Sequence, residues 1–249
     1  MTTESQVLRV AVLGCGAFGR NHARVYRLLQ QEGSRVQLVG VADTNPERAQ
    51  RVAQEFATQA FSSIDELTGK IDAASVAVPT ADHLAVSAKL MEAGADVLIE
   101  KPVATSMDEA NELIAVAQRT RRVAQVGHLE RFNPAVTATV PLVTQPMFFE
   151  VHRLSVFTPR SLDVDVVMDL MIHDLDVVLS LVKSPVREIR AVGLPVISHK
   201  VDIANARVEF DSGCVANFTA SRVSTEKVSN AASPASPSRR PRSAVDVAS

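Results

Sequence analysis

A glycine-rich hexapeptide near the N-terminus is the first feature with a clear chemical meaning. It has the G-x-G-x-x-G spacing directly after a short apolar run, and reads Gly14-Cys15-Gly16-Ala17-Phe18-Gly19. In this pattern the first glycine allows a tight turn, the second lets the backbone approach a pyrophosphate, and the third lets a helix lie close to a strand. Since a helix N-terminus favours anions, the pattern predicts a phosphate-binding turn that opens a helix near Ala17.

An acidic residue follows at the distance expected of a dinucleotide site. Asp43 ends the next apolar run, 24 residues beyond Gly19. A carboxylate there accepts hydrogen bonds from an adenosine ribose diol and repels a 2'-phosphate, which favours NAD over NADP as the cofactor. In the alternative interpretation, the glycines only form a turn and Asp43 only caps the Asn45-Pro46 turn.

A lysine is the first candidate for the chemical step. Glu100-Lys101-Pro102 ends a later apolar strand pattern, and the carboxyl ends of strands face the ligand crevice in open α/β sheets. An ammonium there could stabilise the alkoxide that develops when a hydroxyl is oxidised, and Pro102 restricts Lys101 to an extended backbone. The alternative is a solvated lysine at a strand end.

A polar stripe on a long apolar helical pattern supplies the second set of candidates. The pattern covers residues 163–183, and the stripe consists of Asp165, Asp169, His173, Asp176 and Ser180. Because an ordinary solvent face carries longer charged side chains, the stripe is expected to line a polar crevice. Asp169 and His173, at i and i+4, could contact one ligand, and a neutral imidazole could accept a hydroxyl proton. A solvent-facing stripe, a structural histidine and a metal site are alternatives, although no metal motif accompanies it.

The elements that must position these residues fall into two groups. In residues 1–127, short apolar runs alternate with helical periodicity, which predicts an α/β domain with a doubly wound parallel sheet of the Rossmann type. From residue 128 to 228, the long helix is followed by three strand patterns, at 186–192, 202–210 and 214–221, which predict a second α+β domain with a mostly antiparallel open sheet. Residues 229–249 are mainly Ser, Ala, Pro and Arg, and are expected to be disordered.

Composition narrows the class of protein. The 249 residues carry 26 Lys and Arg against 28 Asp and Glu, and this balance gives no general attraction to nucleic acid or to an anionic membrane. The two cysteines, Cys15 and Cys214, are too few for a disulfide framework and suit a reducing cytoplasm. Because no secretory signal or spanning segment is recognisable, we expect a cytoplasmic protein.

These motifs resemble the glucose-fructose oxidoreductase and inositol dehydrogenase (Gfo/Idh/MocA) family over most of residues 8–221. The resemblance is carried by VAVLGCGAFGRNHARVY, by VAVPTADHLAVSAKLMEAGADVLIEKP and by DLMIHDLD. It implies that Lys101 is the catalytic lysine, that His173 is the general acid and base, and that Asp169 orients the substrate. It also implies four residues along the cofactor: Pro79, Thr80, His83 and Glu100.

Within the family, GHLERFNP and DLMIHDLDVVLSLV look like the branch that oxidises nucleotide sugars. That similarity makes Arg131 and Asn133 candidate substrate contacts; the alternative for Asn133 is that it only starts a helix before Pro134. Family members are longer and tend to form homo-oligomers, and the resemblance fades after Val228. The low-complexity end is therefore interpreted as a truncation or a frameshift, which would leave a sheet edge exposed and the activity of the chain in doubt.

Two functions are consistent with these observations. The first is an NAD-dependent dehydrogenase that oxidises a secondary hydroxyl of a sugar, a nucleotide sugar resembling UDP-N-acetylglucosamine, or a cyclitol, with Lys101 and His173 acting on one hydroxyl. No metal, nucleic acid or membrane is expected as a partner. The alternative is a non-catalytic NAD-binding sensor, or an inactive truncated member of the family.

Overall fold

A computed structural model describes residues 7–157, 164–225 and 228–232 of the chain. The chain divides into two compact units, and the boundary between them lies between Gly127 and His128. In the described segments, no helix combines the length and the apolar character needed to cross a membrane.

The first unit alternates strands and helices along the chain. Its strands, within the described residues, are β1 (Leu8–Leu13), β2 (Val36–Ala42), β3 (Gln59–Phe61), β4 (Ala73–Val76), β5 (Asp96–Ile99) and β6 (Ala124–Val126). Its α-helices are α1 (Ala17–Gln31), α2 (Pro46–Glu55), α3 (His83–Glu92) and α4 (Met107–Thr120). Strands β1, β2, β4, β5 and β6 lie at the short apolar runs of the sequence, as predicted, whereas β3 was missed because its three residues are too few to show a period.

The strands of the first unit form one parallel sheet in the order β3-β2-β1-β4-β5-β6. Val10 and Val12 of β1 pack with α1 and α2 on one face, whereas Ala11 and Leu13 pack with α3 and α4 on the other. Burial on both faces explains why β1 reads as a continuous apolar run. The order reverses between β1 and β4, and ligands bind outside the carboxyl ends of the strands at such a reversal. The predicted doubly wound α/β fold is confirmed.

Local sequence explains where two of these helices start. Asn45 caps α2 by accepting a hydrogen bond from the backbone N–H of Arg48, and Pro46 occupies the first helical position. Ser106 caps α4 in the same way, through the N–H of Glu109. These caps stand next to Asp43 and to the Glu-Lys-Pro turn, so they fix the chain close to the predicted site.

The second unit contains a mixed sheet. The described strands are β7 (Phe148–Leu154), β8 (Val186–Leu194), β9 (Ile203–Phe210), β10 (Val215–Ser221) and β11 (Val228–Ala232), and their order is β11-β7-β10-β9-β8. Only the pairing of β10 with β7 is parallel in this part of the chain. The unit also has a short helix, α5 (Pro134–Thr139), and a long helix made of a π-helical turn (Val167–Met171) that continues as α6 (Ile172–Leu181). Val166, Met171 and Val178 pack against the buried face of the sheet.

Two sequence expectations for the second unit need correction. The three predicted strands are present as β8, β9 and β10, but β7 and β11 were missed. The disordered segment was predicted to begin at Ser229, whereas residues 229–232 continue β11 and pair with β7. Composition misled here because the backbone of β7 offers a hydrogen-bonding edge that any short segment without proline can join. The rest of the predicted tail, like Asp163 at the predicted helix start, lies outside the described residues.

Candidate functional site

The glycine-rich turn has the geometry that its sequence predicts. Gly14 has a φ of +89°, and a Cβ there would lie 2.4 Å from the carbonyl oxygen of Ala77. A Cβ on Gly19 would lie 1.7 Å from the carbonyl oxygen of Gly14, so only glycine lets α1 approach the strand this closely. Both glycines are therefore required by the path of the backbone itself.

Gly16, the middle glycine, differs because the space next to its Cα is open. Gly16 is the N-cap of α1 and makes no side-chain cap, and a Cβ there would have no neighbour within 4 Å. Ala17 and Phe18, which follow, are exposed. The first backbone N–H groups of α1 thus border an open surface at the carboxyl end of β1, where a diphosphate could approach.

Asp43 lies at the end of β2, against this turn. Its Oδ2 accepts a hydrogen bond of 2.7 Å from the backbone N–H of Cys15, and its Oδ1 accepts one of 2.8 Å from Asn45. Arg48 Nη1 lies 3.5 Å from Oδ2. The local turn contact that sequence analysis considered as an alternative is therefore present. This contact leaves the carboxylate able to accept further hydrogen bonds, because each oxygen can accept more than one.

Cys15 is an inert member of the same turn. Its side chain is buried, and Sγ lies 3.7 Å from the carbonyl oxygen of Ala42. Burial, followed by the nearby negative charge of Asp43, raises the pKa of the Cys15 thiol to about 12. At neutral pH this thiol is protonated and has no nucleophilic role.

The Glu-Lys-Pro turn lies at the carboxyl end of β5, one strand beyond β4. Glu100 is buried, its backbone N–H donates to the carbonyl of Val76, and its Oε2 accepts from the backbone N–H of Lys101 at 3.3 Å. Lys101 is partly exposed and is joined to Pro102 by a cis peptide bond. The first unit thus brings the glycine-rich turn, Asp43 and Lys101 to one edge of its sheet.

The residues predicted along the cofactor fall into exposed and buried groups. Pro79 is exposed and Thr80 partly exposed, just after the carboxyl end of β4. His83 is 1% exposed, and its ring nitrogens lie 3.0 Å from the carbonyl oxygens of Pro102 and Val78. Its side chain therefore ties two loops of the same edge together from within the protein.

Three members of the helix stripe have structural contacts in the second unit. Asp165 accepts a hydrogen bond from the backbone N–H of Met168 in the first turn of the helix. Asp176 is buried and accepts two hydrogen bonds of 2.6 Å from Arg131. Ser180 donates to the carbonyl of Val177 within the helix. Contacts within the protein therefore explain the presence of three of the five polar stripe residues, and no ligand is needed to explain them.

Asp169 and His173 are the chemical candidates that remain on this helix. Both are partly exposed, and Asp169 lies within the π-helical turn that ends two residues before His173. Such turns are rare and occur frequently at functional sites. In the described chain, no cluster of three or more His, Cys, Asp or Glu side chains could hold a metal ion.

The two candidates from the branch-level similarity have defined contacts. Arg131 is held by Asp176 in a two-pronged ion pair, although about half of its side chain is exposed. The side chain of Asn133 accepts a hydrogen bond from the backbone N–H of Ala135 and caps α5. The local role foreseen for Asn133 is present, and Arg131 keeps an exposed portion that a ligand could reach.

Sequence analysis missed several buried polar clusters, of which two differ in whether the sequence signals them. One joins His22, Tyr26 and Ser75 to Glu100 in the first unit. The other joins Asp202 to Arg222 in the second unit. The sequence did carry a signal for the His22 cluster. His22 and Tyr26 share one face of α1 at i and i+4, and the opposite face carries Arg20, Arg24 and Arg27. No pattern links Asp202 to a residue 20 positions later.

The fold and the turn define a class of protein. A parallel sheet with this strand order, an open helix N-terminus after β1 and an acid at the end of β2 together fit a dinucleotide, and the open space at Gly16 leaves room for its diphosphate. The first unit is a dinucleotide-binding Rossmann domain.

Comparison with known proteins identifies the family. Residues 8–128 match the model described as "Oxidoreductase family, NAD-binding Rossmann fold", and residues 145–233 match the "GFO/IDH/MocA C-terminal domain". The chain belongs to the Gfo/Idh/MocA family of oxidoreductases, as its motifs suggested, and the relatives compared below are dehydrogenases that act on CH–OH groups.

Among the relatives, the chain is 43% identical over 220 residues to a UDP-N-acetylglucosamine 3-dehydrogenase of Acidithiobacillus ferrooxidans, covering 88% of this chain and 68% of the relative. A crystal structure under that name superposes with a TM-score of 0.85 at 41% identity, covering 91% of this chain and 73% of the other. A scyllo-inositol 2-dehydrogenase of Bacillus subtilis is 29% identical, covering 89% and 69%. These relatives support a dehydrogenase and give no support to a non-catalytic sensor.

Proposed function

We propose that this chain oxidises a secondary hydroxyl of a nucleotide sugar related to UDP-N-acetylglucosamine, with NAD as the hydride acceptor. The observation that carries the proposal is the 43% identity to a UDP-N-acetylglucosamine 3-dehydrogenase over 88% of this chain, in which Glu100-Lys101-Pro102 and the Asp169 to His173 spacing both lie. The name of that relative also suggests which hydroxyl reacts, namely the one on carbon 3 of the amino sugar.

The proposed roles follow from the chemistry of each side chain. His173 accepts the hydroxyl proton, and the ammonium of Lys101 stabilises the negative charge that develops on the same oxygen. Asp169, which precedes His173 by four residues, orients the sugar by accepting hydrogen bonds from its hydroxyls. When bound, NAD⁺ accepts the hydride that leaves the carbinol carbon. The products are a ketone, NADH and one proton, so the atoms and electrons balance.

A substrate screen tests the reaction itself. Purified chain is incubated with NAD⁺ and with UDP-N-acetylglucosamine, free N-acetylglucosamine, scyllo-inositol or myo-inositol, and NADH formation is followed by absorbance. We expect UDP-N-acetylglucosamine to be oxidised with the highest kcat/KM. A preference for an inositol would replace the proposed substrate by a cyclitol. No reduction of NAD⁺ by any compound would contradict the proposed activity.

The central prediction concerns Lys101. We expect Lys101→Ala to lower kcat by about 10²-fold or more while the Kd for NAD⁺ changes little, because the ammonium acts on charge that develops in the transition state. Steady-state kinetics and NAD⁺ titration measure the two quantities. Lys89→Ala is the matched control, since Lys89 is an exposed lysine of the same unit that pairs with Asp65.

A double variant tests whether the two residues serve one proton transfer. The effects of residues that act as a unit are not additive. The kcat of the double variant Lys101→Ala, His173→Ala should therefore lie only slightly below that of the less active single variant. Unchanged kcat in Lys101→Ala, or fully additive losses in the double variant, would separate the two residues and remove their shared role.

A further inference from the structure

A buried chain of hydrogen bonds connects α1 to the Glu-Lys-Pro turn within the first unit. His22 Nε2 lies 2.6 Å from Glu100 Oε1, and His22 Nδ1 lies 3.1 Å from Ser75 Oγ. Tyr26 Oη lies 2.8 Å from the same hydroxyl. The side chains of His22 and Glu100 are 13% and 9% exposed, and Ser75 is fully buried. A polar chain at this depth is retained only when its groups satisfy one another.

With His22 as a neutral imidazole and Glu100 as a carboxylate, one arrangement of protons satisfies every contact in the chain. The Tyr26 hydroxyl donates to Ser75, the Ser75 hydroxyl donates to Nδ1 of His22, and the Nε2–H of His22 donates to Glu100. Each donor then points towards the carboxylate of Glu100, which can only accept. Hydrogen bonds aligned in this way polarise one another, so the chain holds the carboxylate more firmly than a single contact would.

The carboxylate of Glu100 is also confined on its other sides. Its Oε2 faces the backbone N–H of Lys101 at 3.3 Å. The backbone of Gly127 passes so close that a Cβ there would lie 3.3–3.4 Å from the carboxyl atoms. On the far side of Lys101, the His83 ring lies 3.0 Å from the carbonyl oxygen of Pro102. Buried side chains therefore tie the backbone one residue before Lys101 and one residue after it.

From these contacts we infer that His22 is a positioning residue for Lys101, and that it acts through Glu100. By holding the carboxylate against the N–H of Lys101, it fixes the turn from which the ammonium reaches the substrate oxygen. The inference rests on the role proposed above for Lys101. It assigns a function in the chemical step to a helix whose N-terminus serves the dinucleotide.

Two substitutions of His22 separate this role from simple packing. In His22→Gln the amide nitrogen lies near the position of Nε2 and can still donate to Glu100. In His22→Asn the shorter side chain reaches only towards Ser75, so the donor to Glu100 is lost. The two variants differ by one methylene group, so the Tm of each is measured beside the other readouts and each serves as the control for the other.

The first readout is hydrogen exchange, which does not depend on turnover. Mass spectrometry of the peptide that contains Lys101 measures the exchange of the Lys101 backbone N–H. We expect about tenfold faster exchange in His22→Asn and a rate within about threefold of the unsubstituted chain in His22→Gln. Equal protection in His22→Asn and the unsubstituted chain would overturn the inference.

The second readout is the division between kcat and KM. With the preferred sugar, His22→Asn should lower kcat about tenfold while the KM values for NAD⁺ and sugar stay within about threefold. His22→Gln should restore most of kcat. A residue that only supports packing would change the folded fraction and Tm but not kcat per folded molecule, so an unchanged kcat in His22→Asn would contradict the inference.

Two further variants keep the test decisive. Tyr26→Phe removes the far donor but leaves the His22–Glu100 contact, so exchange at Lys101 should rise far less than in His22→Asn. If Tyr26→Phe speeds that exchange as much as His22→Asn does, general loosening is the cause and the inference fails.

If the His22 variants do not fold, Ser75→Ala, which weakens the hold on His22, should speed exchange by about threefold, and no change would overturn the inference. If the unsubstituted chain oxidises no sugar, the proposed function fails, while hydrogen exchange still decides whether His22 holds the turn.

Discussion

Two regions of the second unit bury an aspartate–arginine pair, and the two carboxyl groups respond in opposite ways. Asp174 on α6 pairs with Arg153 of β7 through two hydrogen bonds of 2.7 and 2.8 Å. Asp202, which precedes β9, pairs with Arg222 at 2.8 Å. Burial raises the pKa of Asp174 above its ordinary value even though Arg153 opposes that shift. The pKa of Asp202 lies well below its ordinary value.

The difference lies in the other donors, and not in the ion pair. Burial would raise the pKa of Asp202 too, but Oδ2 accepts three hydrogen bonds of 2.7–2.9 Å from the backbone N–H groups of residues 196–198. Oδ1 also accepts one from the hydroxyl of Ser198. Asp174 has no such set of backbone donors among its described contacts. One guanidinium therefore does not offset the desolvation of a carboxylate, whereas one guanidinium with several fixed donors does.

The largest effect should come from removing the charge of Asp202. In Asp202→Asn an amide NH₂ group faces a site that offers only donors, so several hydrogen bonds are lost at once. We expect the Tm of the second unit to fall by about 10 °C. Calorimetry or circular dichroism measures the transition. A Tm within a degree of the unsubstituted chain would show that the backbone donors do not depend on the carboxylate.

A smaller loss is expected from Asp174→Asn. The substitution breaks the pair with Arg153 but also removes a carboxylate whose burial is unfavourable, and the two effects partly cancel. We expect the Tm of the second unit to fall by roughly 2–4 °C, corresponding to about 0.5 kcal/mol. Asp65→Asn is the control, because it breaks an exposed pair with Lys89 and should have almost no effect. A larger loss at Asp174 than at Asp202 would reverse the comparison.

The pH dependence of the two losses should have opposite signs. The lowered pKa of Asp202 stabilises the folded state at neutral pH, and this contribution begins to be lost as the pH falls below about 4, so the deficit of Asp202→Asn should begin to shrink there. The raised pKa of Asp174 means that the unsubstituted chain gains stability as the pH falls towards 4, so the deficit of Asp174→Asn should widen. Urea unfolding between pH 7 and pH 3 measures both trends, and parallel trends would contradict the assignment.

The fold of the first unit could be predicted from its sequence because local sequence signals determine most of its strands and helix starts. Gly14 and Gly19 are fixed by the backbone path, Asn45 and Ser106 cap the helices they precede, and continuous apolar runs mark strands buried on both faces. The same signals place Asp43 and Lys101 at one edge of the sheet. His22 was not predicted, because its importance depends on Glu100, which lies 78 residues away.

The second unit was read less completely because its order depends on distant pairing. β11 has little apolar character and takes its place from the free edge of β7, which lies more than 70 residues earlier in the chain. Likewise, the five stripe residues look equivalent in the sequence, yet Asp176 is held by Arg131 of a preceding segment. The candidate roles of Asp169 and His173 remain predictions that come from spacing and family resemblance.

The two buried thiols have a practical consequence for experiments on this molecule. Burial raises the pKa values of both Cys15 and Cys214, so neither native sulfur is expected to react with maleimides at neutral pH. Cysteines introduced at Met107 and Leu142, two highly exposed positions in different units, could then be labelled with a fluorescent donor and acceptor without altering the native sequence elsewhere. Energy transfer between the dyes would report in real time whether adding cofactor or sugar changes their separation.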